Sequence, residues 1–205
     1  MPAELSYGHL LKQIETGRLE PFYLFFGAGE FLRESALTKI RETCVEEATR
    51  DFNLRVFYGD KSGTGEILDF ARSLPFMAIR RIGIVRKTEA LDSETLQSLV
   101  PYLNDPPPTT CMIFIVSSPD FRKSFFKIIR DKGRSVHFRD PSENKIPEWI
   151  ARTARGLGFE IDAGGNLCLG LLCASTDLPL KNPVQAVHKG PAGAGLPSDY
   201  YFVSL

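Results

Sequence analysis

The sequence has no excess of charge of either sign. Lys and Arg number 25, Asp and Glu number 25, and the formal net charge is zero. Gross charge therefore gives no reason to expect a strong nucleic-acid-binding or membrane-binding surface. Long apolar runs are also missing: none reaches the roughly 18 residues that a membrane span needs. The start, Met1-Pro2-Ala3-Glu4, lacks the basic-then-apolar pattern of a secretory signal. The chain is read on these grounds as cytoplasmic, with no membrane partner. Cysteine is scarce, with Cys44, Cys111, Cys168 and Cys173 as the four examples. The Cys168/Cys173 spacing matches no common metal motif, Cys111 opens an apolar strand and Cys44 falls in a helical pattern, so reduced core thiols are expected and no metal. His9, His137 and His188 stand apart from any nucleophile, so no Ser/His/Asp or Cys/His arrangement can be argued and no catalytic residue is assigned.

One more scarcity is regional. Residues 161–205 carry only five of the chain's 50 charged residues: Asp162, Asp177, Lys181, Lys189 and Asp199. The same stretch holds Pro179, Pro183, Pro191 and Pro197 and glycines at 164, 165, 170, 190, 193 and 195. These break helices and leave little amphipathic pattern. Weak helix is expected over 167–172 and poor order beyond about Lys189.

What is present begins with an apolar strand, Phe22-Tyr23-Leu24-Phe25-Phe26, that runs into Gly27-Ala28-Gly29-Glu30 ahead of a helical pattern. A phosphate-binding loop sits in that strand–turn–helix order. A working loop reads G-x-x-x-x-G-K-[ST], with Lys on the β/γ oxygens and Ser/Thr on magnesium. Here the second glycine is followed by Glu30, Phe31, Leu32 and Arg33. Glu30 places a negative charge where phosphate would meet the helix N-terminus. ATP hydrolysis also needs carboxylates at a strand tip to hold magnesium and position water. The third strand ends in Val85-Arg86-Lys87-Thr88 and the fourth in Val116-Ser117-Ser118, so neither supplies one. A dinucleotide fingerprint would need a third glycine where Leu32 stands. A tight strand-to-helix turn is the remaining reading. No ATP hydrolysis and no cofactor are expected.

The rest of the pattern alternates strands and helices. Leu10, Leu11 and Ile14 suggest a first helix that stops near Gly17. Apolar residues at helical spacing fill 30–48, and Leu54, Val56 and Tyr58 alternate with Arg55 and Phe57 in a second strand. A helix from Thr64 is stopped by Pro75. Strands follow at 81–85, 111–116 and 135–138. The continuous apolar run of 111–116 marks a strand buried on both faces. Between them lie a helix capped by Asp92 and another carrying Phe125, Phe126, Ile128 and Ile129. This predicts an α/β fold: a mostly parallel five-stranded sheet with helices on both faces. The pattern turns helical after Pro141, with Pro147 suited to an early helical position, Trp149 and Ile150 beginning an apolar face and Gly158 as a stop. A first domain over 1–140, a small helical domain over 141–188 and a tail over 189–205 are expected.

The stretch Ser73-Leu74-Pro75-Phe76-Met77-Ala78-Ile79-Arg80-Arg81 places Leu, Phe and Met around a proline turn. Pro75 prevents the helix from continuing and disfavours helical geometry at Leu74. Such side chains can anchor in a hydrophobic pocket of a partner, because a few anchors dominate many interfaces. They can also close the core beneath the helix–strand corner, and spacing alone favours that reading. The basic stretch Arg122, Lys123, Lys127, Arg130, Lys132, Arg134 and Arg139 could touch a nucleic-acid backbone. A solvated helix face accounts for it better.

Several of these segments together resemble the delta subunit of bacterial DNA polymerase III. The matching residues are Tyr23-Leu24-Phe25-Phe26-Gly27 with Glu30-Phe31-Leu32, then Asp51-Phe52-Asn53-Leu54 with Phe57, Gly59 and Asp60. Ala71-Arg72-Ser73-Leu74-Pro75-Phe76, Arg80-Arg81, Leu103-Asn104-Asp105-Pro106-Pro107-Pro108 and Trp149-Ile150 continue the series. The resemblance implies a clamp-loader component with an AAA+-like first domain that neither binds nor hydrolyses ATP, working within the polymerase III holoenzyme. It also implies a site. An apolar tip, here Leu74 and Phe76 with Pro75 and Met77 beside them, enters a hydrophobic pocket of the sliding clamp and favours an opened ring. That reverses the preference for core closure. The partners implied are the beta clamp and the gamma/tau and delta-prime loader subunits, with primer-template DNA met only through the complex. The family continues into a complete second domain and a helical collar, whereas this sequence stops at 205, and a truncated or frameshifted reading frame is the expectation. The leading alternative is a nucleotide-binding α/β enzyme. A response-regulator-like domain would need clustered acids at strand tips, and Asp60 alone is not enough.

Overall fold

A computed structural model describes residues 4–139 continuously and, beyond them, strands at 160–161, 167–168, 187–189 and 201–203. The chain divides into two compact units, Met1–Asp140 and Pro141–Leu205.

In the first unit the order is α1 (Tyr7–Glu15), β1 (Phe22–Phe26), α2 (Glu30–Cys44), α3 (Arg50–Asn53), β2 (Leu54–Tyr58), α4 (Thr64–Arg72), β3 (Arg81–Arg86), α5 (Ser93–Asn104), β4 (Thr110–Val116), α6 (Ser124–Asp131) and β5 (Ser135–His137). The five strands form one sheet in the order β2-β3-β4-β1-β5. Every pairing in it is parallel, with Phe25 opposite Ile115 and Val136, and Val56 opposite Ile84. The sheet is thus wholly parallel rather than mostly so, and its architecture is the α/β, AAA+-like one.

Side-chain alternation splits the core into two layers. Phe22, Leu24 and Phe26 of β1, with Phe114 and Val116 of β4, pack under α4, α5 and α6. Tyr23 and Phe25, with Ile113 and Ile115, pack under α1 and α2. All five residues of β1 and all seven of β4 are buried, because helices cover both faces of these central strands. Each fully buried Phe, Leu or Ile contributes roughly 1.5–3 kcal/mol. On β3, Gly83 makes room for its neighbours: a Cβ there would lie 2.4 Å from Met112 Sδ and 3.1 Å from the Phe70 ring.

Helix ends follow their local chemistry. Ser6 caps α1 by accepting from the His9 N–H, and Asp92 caps α5 by accepting from the Thr95 N–H at 2.6 Å. α2 stops at Cys44, short of the expected 48. Val45 is extended and buried in the α1/α2 layer, so its side chain is taken by the core while the backbone leaves the helix. A short turn at Glu47–Thr49 then leads into α3. Cys44 and Cys111 are free thiols, and burial pushes the Cys111 thiol up to about 12.

In the second unit Glu160–Ile161 pairs antiparallel with Leu167–Cys168, and Val187–Lys189 pairs antiparallel with Tyr201–Val203. At 167–168 this corrects the weak helix expected over 167–172. The intervening sequence contains Gly164-Gly165, which suits a turn, and the segment lacks the apolar period that a helix needs. Trp149, Ile150, Pro147 and Gly158 lie outside the described residues, as does most of the stretch beyond Lys189. Among the described residues no helix is long and apolar enough to cross a membrane.

Candidate functional site

The glycine turn lies at the C-terminal end of β1, the edge of a parallel sheet where phosphates and nucleotides usually bind. Three of its amides are already engaged. Gly27 donates to the Ser117 carbonyl at 3.2 Å, Gly29 to the Phe138 carbonyl at 3.0 Å and Glu30 to the Ala28 carbonyl at 2.6 Å. Phe138 N–H in turn donates to the Phe26 carbonyl at 2.7 Å. Gly27 has φ +103°, and a Cβ on it would sit 2.2 Å from the Phe138 oxygen. One on Gly29 would sit 2.9 Å from the Arg139 backbone. The chain after β5 is therefore folded across the turn.

Charged side chains finish the closure. Arg33 donates through Nη1 to the Gly27 carbonyl at 3.1 Å and lies 3.8 Å from Glu30. Arg86, at the tip of β3, holds Glu34 with both Nη atoms at 2.9 and 2.6 Å. Burial alone would raise the Glu34 carboxyl, but the Arg86 hydrogen bonds and charge outweigh it and hold the group below its usual range. Sequence reading found no acid at the tips of the third and fourth strands, yet the structure brings Glu89 to the end of β4, where Ser117 Oγ donates to it at 2.9 Å. Glu89 lies far from Ser117 in sequence, so no local pattern reveals the pairing. Among the described residues no cluster of His, Cys, Asp or Glu could hold a metal ion.

The corner formed by residues 73–80 lies at the opposite, N-terminal edge of the sheet, between α4 and β3. Leu74 is 78% exposed, Phe76 53%, Met77 79% and Ile79 86%, with Pro75 half-buried. The core-closure reading of Leu74 and Phe76 is contradicted. The core next to the corner is occupied by Phe70 and Ala71 of α4, which belong to the buried cluster. Met77 adopts a left-handed backbone, φ +47°. Ile79 and Phe52 (59% exposed) belong to the same apolar surface and were not among the predicted residues. The Phe52 ring packs on that of Phe76 at 4.9 Å. The run Phe76-Met77-Ala78-Ile79, too short for an element of its own, is the signal that could have found Ile79. Nothing local pointed to Phe52.

Two buried polar side chains hold this surface from beneath. Asn53, fully buried, accepts from the Phe76 N–H and donates to the Phe76 carbonyl, both at 2.8 Å. Arg81 donates to the Leu74 and Phe52 carbonyls, each at 3.3 Å, and its guanidinium lies 3.8 Å above the Phe70 ring. Burial, with the charge of Arg55 added, lowers the Arg81 pKa from its ordinary value.

The basic stretch does not form a continuous cationic face. Arg122 pairs with Asp120, Arg130 with Asp131 and Arg134 with Glu20. Lys132 donates to the Leu103 carbonyl at 2.6 Å, and Arg139 donates to His137 Nδ1 at 3.1 Å. Lys123 and Lys127 point to solvent.

A wholly parallel five-stranded sheet between helices, with its glycine turn folded under its own backbone and an apolar corner raised at the other edge, defines an α/β domain of AAA+-like fold. Residues 23–139 match the family DNA polymerase III, delta subunit, and the chain belongs to that family. It is 29% identical over 156 residues to DNA polymerase III subunit delta of Bacillus subtilis (strain 168), an alignment covering 70% of this chain and 44% of that protein. Its fold is similar to that of the Bacillus subtilis DNA clamp loader delta protein, with a TM-score of 0.65 at 23% identity over 76% of this chain and 49% of the other. A DNA polymerase III gamma subunit-related protein of Thermotoga maritima follows at a TM-score of 0.47 and 14% identity, over 70% of this chain and 49% of that one. The chain thus spans half or less of the length of these relatives.

Proposed function

We propose that this chain is a delta-type clamp-loader component that binds the ring-shaped sliding clamp and favours its open form. Leu74 and Phe76 enter a hydrophobic pocket on the clamp, with Pro75 and Met77 completing the contact. The observation that carries this reading is the corner itself: four large apolar side chains raised into solvent and anchored from below by buried polar groups. Contiguous exposed apolar surface of this kind marks an interaction site. The mechanism needs no nucleotide on this chain. If the corner binds the open ring more tightly than the closed one, it shifts that equilibrium by the difference in affinity. The gamma/tau and delta-prime subunits supply the ATP-driven part of the cycle, primer-template DNA is met through the complex, and the work takes place in the cytoplasm.

The test is clamp binding by the full chain beside Leu74→Ala/Phe76→Ala, measured by calorimetry or surface-immobilised clamp. The double change weakens binding by about 3 kcal/mol or more while leaving the unfolding midpoint within a few degrees. Unchanged affinity rejects the assignment. Saturable, magnesium-dependent ATP binding would instead favour the nucleotide-binding enzyme.

A further inference from the structure

We propose that Asn53 is the positioning residue of the apolar corner: by pairing its carboxamide with the backbone of Phe76 it sets how Leu74 and Phe76 are presented, and thereby the affinity for the clamp. This rests on the clamp-contact reading above.

The carboxamide behaves here as a peptide group. Oδ1 accepts from the Phe76 N–H at 2.8 Å while Nδ2 donates to the Phe76 carbonyl at 2.8 Å. That is the two-bond exchange of a hydrogen-bonded pair in an antiparallel ladder. The second Nδ2 proton goes to the Thr49 carbonyl at 3.1 Å, which ties the corner to the turn before α3. The amide can face only one way, because the flipped form would set its donor against the Phe76 donor. Asp at this position has the shape but no proton to give to either carbonyl, and Gln is longer by a methylene.

The contrast in burial argues for positioning. Asn53 is fully buried, whereas the ring it serves is half in solvent. The two residues are 23 apart in sequence, and residues 73–80 contain neither helix nor strand to hold the corner by local bonds. Arg81 supplies the second point of attachment, at the Leu74 carbonyl. It is 9% exposed and has no carboxylate partner among the described residues; its Nη1 and Nη2 hydrogen bonds go to the Leu74 and Phe52 carbonyls, while Nε is unpaired. Fixing a loop in its bound shape before encounter reduces the ordering entropy that association must overcome.

The experiment is a double-mutant cycle on clamp affinity with the full chain: wild type, Asn53→Ala, Phe76→Ala and the pair. Asn53→Ala is expected to weaken binding roughly tenfold, chiefly through faster dissociation, and to add less than about twofold in the Phe76→Ala background. Hydrogen exchange gives the second readout. The Phe76 amide is protected in the wild type and exchanges faster in Asn53→Ala, while the Phe114 amide in the sheet stays protected. Asn53→Asp, of the same shape, replaces Asn53→Ala if the alanine variant does not fold, and it should weaken binding at least as much. Wild-type affinity in a folded Asn53 variant overturns the proposal even where Leu74→Ala/Phe76→Ala still loses binding. An equal loss from Asn53→Ala in both backgrounds also overturns it, since the residue would then act through the fold at large. If Leu74→Ala/Phe76→Ala itself binds normally, the clamp reading falls and this proposal with it.

Discussion

The two edges of one sheet are built in opposite senses. At the C-terminal edge of the strands, the turn of residues 27–30 directs its amides inward to Ser117, Phe138 and Ala28, and Arg33 and the Glu34–Arg86 pair lie over it. At the N-terminal edge, residues 73–80 direct polar backbone inward to Asn53 and Arg81 and leave Leu74, Phe76, Met77 and Ile79 outside. The first arrangement removes the donors that a phosphate would need. The second satisfies backbone groups so that apolar side chains can be displayed on a fixed frame. One topology therefore carries a closed turn at one edge and an exposed apolar corner at the other.

Four tests bear on that contrast, from the largest expected effect to the smallest. Gly27→Ala puts a methyl 2.2 Å from the Phe138 oxygen at φ +103°. It should destabilise the domain by about 3 kcal/mol or more in urea unfolding, because the opposing atom is backbone and cannot turn aside. A loss below about 1 kcal/mol would show that the turn is looser than the structure implies.

At the other edge, Phe76→Ala should change stability by less than about 1.5 kcal/mol, since the ring is half-exposed and packs mainly on Phe52. Phe114→Ala, in the buried layer, should cost about 3–5 kcal/mol. Similar losses at the two positions would mean that the corner belongs to the core in solution.

Glu34→Gln removes the carboxylate that Arg86 holds. The folded-state pKa of Glu34 is depressed, so its stabilisation is complete above the unfolded value of about 4.3 and is lost as pH falls through the folded value. The pair is part-exposed, so the effect at neutral pH should not exceed about 1 kcal/mol. The informative observation is the slope: wild type should lose stability faster than Glu34→Gln as pH drops below about 4.3. Parallel acid limbs would dismiss the ion pair as a contributor.

The smallest expected effect is none. Glu30→Lys/Phe31→Thr restores the lysine and hydroxyl of a phosphate loop. With the Gly27, Gly29 and position-30 amides already donating inside, the variant should still show no saturable binding of magnesium-ATP by calorimetry. Millimolar or tighter binding would mean that side chains alone had closed the site.

Much of the scaffold was legible because its signals are local. The apolar run of β4, the Asp92 cap and the stop at Pro75 each depend on a few neighbouring residues. The end of α2 was misplaced because Val45 is drawn into the core by a layer that periodicity cannot see. The short strands at 160–161 and 167–168 were missed because two-residue pairings leave almost no pattern. Of the corner, Leu74 and Phe76 could be named from the proline turn and the family resemblance. Phe52 could not, because its contact with Phe76 crosses 24 positions of sequence, 76 less 52.

The order of elements and the parallel class of the sheet were determined by sequence alone, since period and caps are properties of short windows. Which way the corner faces was decided only in three dimensions. Spacing placed Leu74 and Phe76 at a helix–strand junction but could not say whether the layer below was already full. Phe70 and Ala71 already occupy the core there, and Asn53, 23 residues away in sequence, joins the adjacent Arg81 in taking up the backbone polar groups. Exposure is a property of what else occupies the space, and that is settled only when the whole domain has packed.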